Sequence, residues 1–223
     1  MALLFDLDGT LLDTALDFVH VINTLRSNKN MSIIDDRSEV QNIRLAVSHG
    51  IESLIQTGFG ISKDHPDFLE LQKDILSLYQ QNINKYTQPF PGILELLQTL
   101  DQRKIPWGVV TNKPGFLTDP LLESMKWAKH AACIVSGDTT PYPKPHPDPL
   151  LYACQKIKIS PEQCIYIGDA ERDIQAGKAA GMATIVALFG YIEDFSEARL
   201  WEADHYVHHA DEILPWVDQR WQR

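Results

Sequence analysis

The chain has 223 residues, enough for one large domain or two smaller ones, and its 44% hydrophobic and 22% charged residues exclude a disordered chain. A formal net charge of −10 argues against a nucleic-acid or anionic-membrane surface, since both need a basic excess. It leaves room for an anionic small substrate, because local lysines and a metal can dominate one pocket.

The first element is the apolar run ALLF (2–5), cut off at Asp6. It has no basic segment before it and is too short for a signal peptide, and no window approaches a membrane-spanning length. A cytoplasmic protein with no membrane partner is expected. The run leads into DLDGT, with Asp6 and Asp8 on either side of Leu7. Carboxylates two residues apart in an extended chain point the same way, and their repulsion costs stability unless a cation or hydrogen-bond network offsets it.

Residues 14–88 contain no convincing strand run. The amphipathic stretches LDFVHVINTLR and FLELQKDILSLYQQNI, with turn signals at SNKN, TGFG and KDHP, predict an all-helical insertion. The proline-bearing TQPFPG returns the chain to a main domain made of residues 1–13 and 89–223. There, apolar runs PWGVVT (106–111), ACIVSG (132–137), CIYIGD (164–169) and ATIVAL (183–188) alternate with helix-like stretches. Those stretches begin at Gly92, Pro120, Pro147 and Arg172. Runs that are apolar throughout suit strands buried on both faces, so the pattern predicts a doubly wound parallel α/β sheet with an inserted helical domain. Ligands then belong at the carboxyl ends of the strands. Cys133, Cys154 and Cys164 form no CxxC and read as buried thiols in a reducing compartment.

Four strand ends carry reactive or phosphate-seeking residues. They are Asp6–Thr10, then Thr111-Asn112-Lys113, then Lys144 in YPKPHPDP, then Gly168-Asp169 with Asp173 one helical turn on. In this order DLDGT, TN, the KPHPDP lysine and GDAERD resemble the haloacid dehalogenase superfamily of phosphatases, across essentially the whole chain. VVTNKP, KPHPDPLL, GDAERDIQAGKAAGM and GYI (190–192) are similar to its phosphoglycolate phosphatase branch. A sister branch, the N-acetylmuramic acid 6-phosphate phosphatases, shares nearly all of this, and WGVVTNKP and GDAERDIQAG lean toward it.

The resemblance implies a mechanism residue by residue. Asp6 would be the nucleophile and form an aspartyl-phosphate, and Asp8 would protonate the leaving alkoxide and later deprotonate water. A neighbouring carboxylate favours the protonated form that Asp8 needs. Gly9 lets the backbone approach the phosphate. Thr111, Asn112 and Lys144 would hold the phosphoryl group. Mg²⁺ fits as the countercharge, with Asp6, the Asp8 carbonyl and Asp169 as ligands and Asp173 steadying the water shell. Asp169 has a second simple reading as a helix N-cap. The inserted helices would form a mobile cap. Within it Ser48, His49 and Gly50 of VSHGI would touch the substrate's organic half and Arg44 would meet a carboxylate. An ordinary interhelical turn explains VSHGI equally well.

Other features are set aside. DLDG lacks the glycine and terminal glutamate of a calcium loop, since Leu11 and Asp17 hold those places. His205, His208 and His209 have no second ligand group at sensible spacing and read as a surface strand. Lys113 and Arg172 read first as solvated, with contact to the ligand as the alternative. Trp107, Trp127, Trp201, Trp216 and Trp221 read as core or terminal anchors, the last two with a dimer contact as the alternative. The expectation is a Mg²⁺-dependent phosphomonoester hydrolase, monomer or homodimer, acting on a small phosphorylated metabolite, foremost 2-phosphoglycolate. The alternatives are an N-acetylmuramic acid 6-phosphate or other sugar phosphate phosphatase, a phosphomutase, and a non-catalytic phosphate- or partner-binding module.

Overall fold

The computed structural model describes residues 1–221. In chain order its elements are β1 (Ala2–Phe5), β2 (Leu12–Asp13), α1 (Ala15–Asn28), α2 (Arg37–His49), α3 (Ile51–Phe59), α4 (Phe68–Gln81) and β3 (Gln88–Pro89). There follow α5 (Ile93–Gln102), β4 (Trp107–Val110), α6 (Gly115–Ser124), β5 (Ile134–Val135) and α7 (Asp148–Ile157). The last are β6 (Cys164–Gly168), α8 (Glu171–Ala179), β7 (Ala183–Ala187), α9 (Phe195–Arg199), β8 (His205–Val207) and α10 (Ile213–Trp221). Two compact units result: Met1–Leu12 with the chain from Pro89 onward, and Asp13–Gln88.

The first unit is built on a six-stranded sheet in the order β5-β4-β1-β6-β7-β8, with every pairing parallel. Its central strand β1 is the greasy run that opens the chain, and Ala2 to Phe5 are each 0% exposed. Burial on both faces is what an uninterrupted apolar strand requires, and it makes these four residues a fixed reference for everything attached to them. The register sets Phe5 opposite Val109 on one side and Ile167 on the other. The chain moves from β1 to β4 and β5 on one side, then crosses to β6, β7 and β8 on the other. The order therefore reverses around β1, and a crevice opens at the carboxyl ends of the strands there. All three cysteines are free and buried in one core cluster.

One expectation needs correction here. The helix expected from Pro120 starts at Gly115 and carries Pro120 in its interior. Gly115 donates its N–H to Asp138 Oδ1 (2.9 Å), and Thr118 Oγ1 donates to the Pro114 carbonyl (3.1 Å), so the first turn is nucleated directly after the TNKP stretch. The TGFG signal falls where expected, at the end of α3, which runs to Phe59 and stops at Gly60, whose φ of 69° is left-handed. The histidine-bearing strand is β8, the edge of the sheet, where His205 stacks on Trp216 with ring centroids 5.2 Å apart. The side chain of Trp221 lies outside the described residues.

The second unit is a four-helix assembly. Phe18 of α1 stacks on Tyr79 of α4 at 4.1 Å, and α3 comes so close to α1 that a Cβ on Gly58 would sit 3.0 Å from Ile22. Asp17, on the first turn of α1, is 0% exposed and accepts from the Tyr86 N–H (2.6 Å) and the Thr87 hydroxyl (2.7 Å). One carboxylate thus ties the start of the unit to its end. Asp17→Ala leaves the buried Thr87 hydroxyl and the part-buried Tyr86 N–H without their acceptor, and a loss of about 2–3 kcal/mol in urea unfolding is expected. An unchanged midpoint in that titration would show the tie to be dispensable.

Candidate active site

Each segment of the site hangs from the carboxyl end of a parallel strand. Asp6 and Asp8 follow β1, Thr111 to Lys113 follow β4, Lys144 lies in the loop after β5, and Asp169 follows β6. Asp6 is 3% exposed, and its Oδ1 accepts from the Leu7 N–H (2.7 Å) and the Lys144 ammonium (3.0 Å). Lys144 is buried, and its three N–H donors meet three acceptors: Asp6 Oδ1, Asp173 Oδ1 (2.7 Å) and Tyr166 Oη (2.7 Å). Tyr166 in turn donates to the Val110 carbonyl (2.7 Å). Burial, then the Asp173 and Asp6 charges, push its phenol well above the ordinary range, so it stays protonated.

Asp169 accepts from Thr10 Oγ1 at Oδ1 and from the Tyr191 N–H at Oδ2, both 2.9 Å. It is wedged between two glycines. A Cβ on Gly9, whose φ is +85°, would stand 2.1 Å from Asp169 Oδ2, and one on Gly190 would stand 2.5 Å from Asp169 Cβ. Gly9 is therefore required by a carboxylate 160 positions away as well as by its own backbone conformation. Asp169 is not the helix cap. That task falls to Asp173, whose Oδ2 accepts the Ala170 N–H (3.0 Å) at the start of α8.

Ligand oxygens of Asp6, Asp169 and Asp173 all lie within 4.8 Å of one another, and all three residues are buried. Burial, then the charges of Asp173 and Asp6, raises Asp169 to about 7, and burial also raises Asp173 against the opposing pull of Lys144. Three buried carboxylates against Lys144 and Arg172 still leave surplus negative charge on an all-oxygen donor set, and those residues fit a hard divalent cation such as Mg²⁺.

The expected repulsion between Asp6 and Asp8 is resolved by giving each its own lysine. Lys113, read from sequence as solvated, is 8% exposed, and its Nζ stands 3.0 and 3.3 Å from the two carboxylate oxygens of Asp8. Arg172 is half-buried as well. Burial opposes its charge, yet the carboxylates of Asp173, Asp6 and Asp169 outweigh that and raise its pKa. Asn112 uses its side chain on the Lys144 backbone, donating to the carbonyl (2.9 Å) and accepting from the N–H (3.0 Å). It seats the lysine, and reaching a phosphoryl oxygen would mean giving up that pair. Thr111 Oγ1 accepts the Lys113 N–H (3.1 Å). In the helical unit, Arg44 pairs with Asp13 (2.8 Å), while Ser48, His49 and Gly50 form the junction of α2 and α3. Gly50 has a φ of +86° with nothing within 4 Å of a Cβ, so it serves the turn rather than a close approach. Thr10, Tyr166 and Tyr191 were not singled out from sequence. Thr10 lies inside DLDGT and Tyr191 inside GYI, but Tyr166 is indistinguishable from its apolar strand.

The carboxylate cluster, its lysines and the crevice beside the central strand define an enzyme of phosphoryl chemistry on a doubly wound sheet. Residues 3–187 match the model of the haloacid dehalogenase-like hydrolases, and the chain belongs to that family. It is 36% identical over 218 residues to the N-acetylmuramic acid 6-phosphate phosphatase of Pseudomonas aeruginosa, covering 98% of this chain and 95% of the relative. It is also 36% identical over 220 residues to the phosphoglycolate phosphatase of Xanthomonas campestris, covering 99% and 96%. A crystal structure described as a predicted phosphoglycolate phosphatase from Haemophilus somnus superposes with a TM-score of 0.82 at 24% identity, covering 97% of each chain, which shows a shared fold. Family and relatives together make the chain a phosphatase. Among the described residues no helix is long and apolar enough to cross a membrane.

Proposed function

We propose that the chain is a Mg²⁺-dependent phosphomonoesterase acting through an aspartyl-phosphate, with 2-phosphoglycolate as its foremost substrate. The observation that carries this is the convergence of Asp6, Asp169 and Asp173 within 4.8 Å at the carboxyl end of β1, with Lys144 joining two of them. Asp6 attacks phosphorus as the ester P–O bond breaks, and Asp8 gives its proton to the departing alkoxide. Asp8 then takes a proton from water, which displaces Asp6 from phosphorus and frees inorganic phosphate and the original carboxylate. Lys144 holds Asp6 in line and adds positive potential beside the phosphoryl oxygens, with Thr111 near them. Mg²⁺ held by Asp6, the Asp8 carbonyl and Asp169 would neutralise phosphoryl charge. The helical unit acts as the cap that excludes water and reads the organic half, through Arg44, Ser48, His49 and Gly50.

N-acetylmuramic acid 6-phosphate is the second reading, favoured by the equal identity to the Pseudomonas aeruginosa enzyme. Both candidates are monophosphates of hydroxy carboxylic acids. The test is phosphate release from each, with EDTA and then excess Mg²⁺. Hydrolysis that EDTA abolishes and Mg²⁺ restores is expected, fastest with 2-phosphoglycolate. Turnover that needs a sugar bisphosphate and releases no phosphate would indicate a phosphomutase, and binding without release would indicate a non-catalytic module.

A further inference from the structure

Lys144 is held at both ends. Asn112 grips its backbone through the carbonyl (2.9 Å) and the N–H (3.0 Å). A flexible four-carbon stem separates that anchor from the ammonium, so a seat for the backbone does not aim the charge. At the far end Asp6 and Asp173 supply two acceptors, and the Tyr166 phenol oxygen supplies the third. The Lys144 side chain is 0% exposed, and an ammonium N–H left unanswered in such a place is costly. Tyr166 is itself fixed. Register sets it opposite Leu4 of β1, and its ring belongs to the core cluster that holds Ala2, Leu4 and Val110. Helix α8 closes on it so tightly that a Cβ on Gly177 would stand 3.5 Å from Tyr166 Cβ. In the strand order β4-β1-β6, its phenol reaches past the central strand to the Val110 carbonyl (2.7 Å). That carbonyl ends β4 and belongs to the peptide group leading into Thr111.

We propose that Tyr166 is a positioning residue, whose phenol oxygen locks the Lys144 ammonium to the end of β4 and so fixes Lys144 and Thr111 relative to each other. This rests on the phosphatase reading, in which Lys144 holds Asp6 in line with phosphorus. A neutral acceptor suits the task. A further carboxylate there would add to a cluster of three that already carries surplus negative charge, and an apolar side chain would leave one N–H bare. The phenol does neither, because it gives its own proton to Val110 and offers the lysine a lone pair. Tyr166 therefore acts through Lys144. Turnover depends on the aim of that ammonium, since a charge displaced by about 1 Å from the developing transition state stabilises it less. Filling the core would be served equally well by phenylalanine, so the hydroxyl alone carries the role.

The test is Tyr166→Phe, which keeps the ring and removes only the oxygen. With Mg²⁺ present, and on the faster of the two candidate phosphomonoesters, kcat is expected to fall about 10-fold while KM stays within about threefold. A fall in kcat of less than about threefold, or a loss confined to KM, would overturn the inference and leave the phosphatase reading standing. A wild type that releases phosphate from neither ester overturns that reading and the inference with it. Melting temperatures supply a second measurement that needs no turnover. The drop caused by Tyr166→Phe should be at least halved in a Lys144→Met background, where no ammonium needs the phenol. A smaller difference between the two backgrounds would make Tyr166 a core filler and overturn the proposal.

Discussion

Asp6→Asn is expected to lower turnover by at least about 10⁴-fold while leaving the fold intact. The substitution is isosteric, and the amide oxygen can still accept the Leu7 N–H that Asp6 Oδ1 accepts now. It removes one charge from a buried cluster of three, which relieves repulsion from Asp169 and Asp173, and it weakens the 3.0 Å pair with Lys144. These effects oppose each other, so the unfolding midpoint should move little. What the amide cannot do is attack phosphorus. A phosphorylated peptide containing Asp6 should be recoverable from rapidly quenched wild type and be absent from the variant. Turnover within about 100-fold of wild type would remove Asp6 from the role of nucleophile.

The second large effect is a linkage between pH, stability and metal. Asp169 is raised from 3.8 to about 7 by burial, then by Asp173 and Asp6. Between about pH 4 and pH 7 the folded chain holds a proton on this carboxyl that the unfolded chain has released. Stability therefore falls as pH rises through that window, and the penalty, on the order of 4 kcal/mol, is complete above it. Asp173, also raised, acts in the same direction. With EDTA present, the melting temperature should drop between about pH 5.5 and pH 8. A divalent cation bound there would replace the proton as countercharge, so Mg²⁺ should bind about tenfold more tightly per pH unit up to about 7 and level off beyond it. The Mg²⁺-induced rise in melting temperature should be larger at high pH. Affinity for Mg²⁺ that does not change across this range would exclude Asp169 as the group that exchanges its proton for the metal.

Much of the site was legible from residue order because strand ends are local features. DLDGT, TNK, the KPHPDP lysine and GDAERD each follow an apolar run, and parallel topology brings such ends together wherever the strands lie in sequence. Arg44, Ser48, His49 and Gly50 were placed only as far as the helical unit, because a helix surface carries no comparable marker of what it faces. Lys113 was misread for a different reason. A lysine beside a proline in a turn looks solvated, and nothing in its own segment says that Asp8, 105 residues earlier, will lie 3.0 Å away. Asn112 and Asp169 show the same gap. One turned out to grip the Lys144 backbone and the other to lean on Thr10 and Tyr191 rather than cap a helix.

By itself the sequence determined the chemistry available and its order along the chain. Uninterrupted apolar runs had to be buried strands, amphipathic runs had to be helices, and acids at strand ends had to share a crevice, since each follows from periodicity and the burial of apolar surface. Only the tertiary structure decided which charge answers which. Asp6 goes with Lys144, Asp8 with Lys113, and Asp173 with both Lys144 and the start of α8. Pairings of that kind depend on distances of about 3 Å between segments many residues apart, and they are set by strand order and register rather than by any local pattern. The repulsion implied by two aspartates in DLDGT is thereby settled by a separate cation for each.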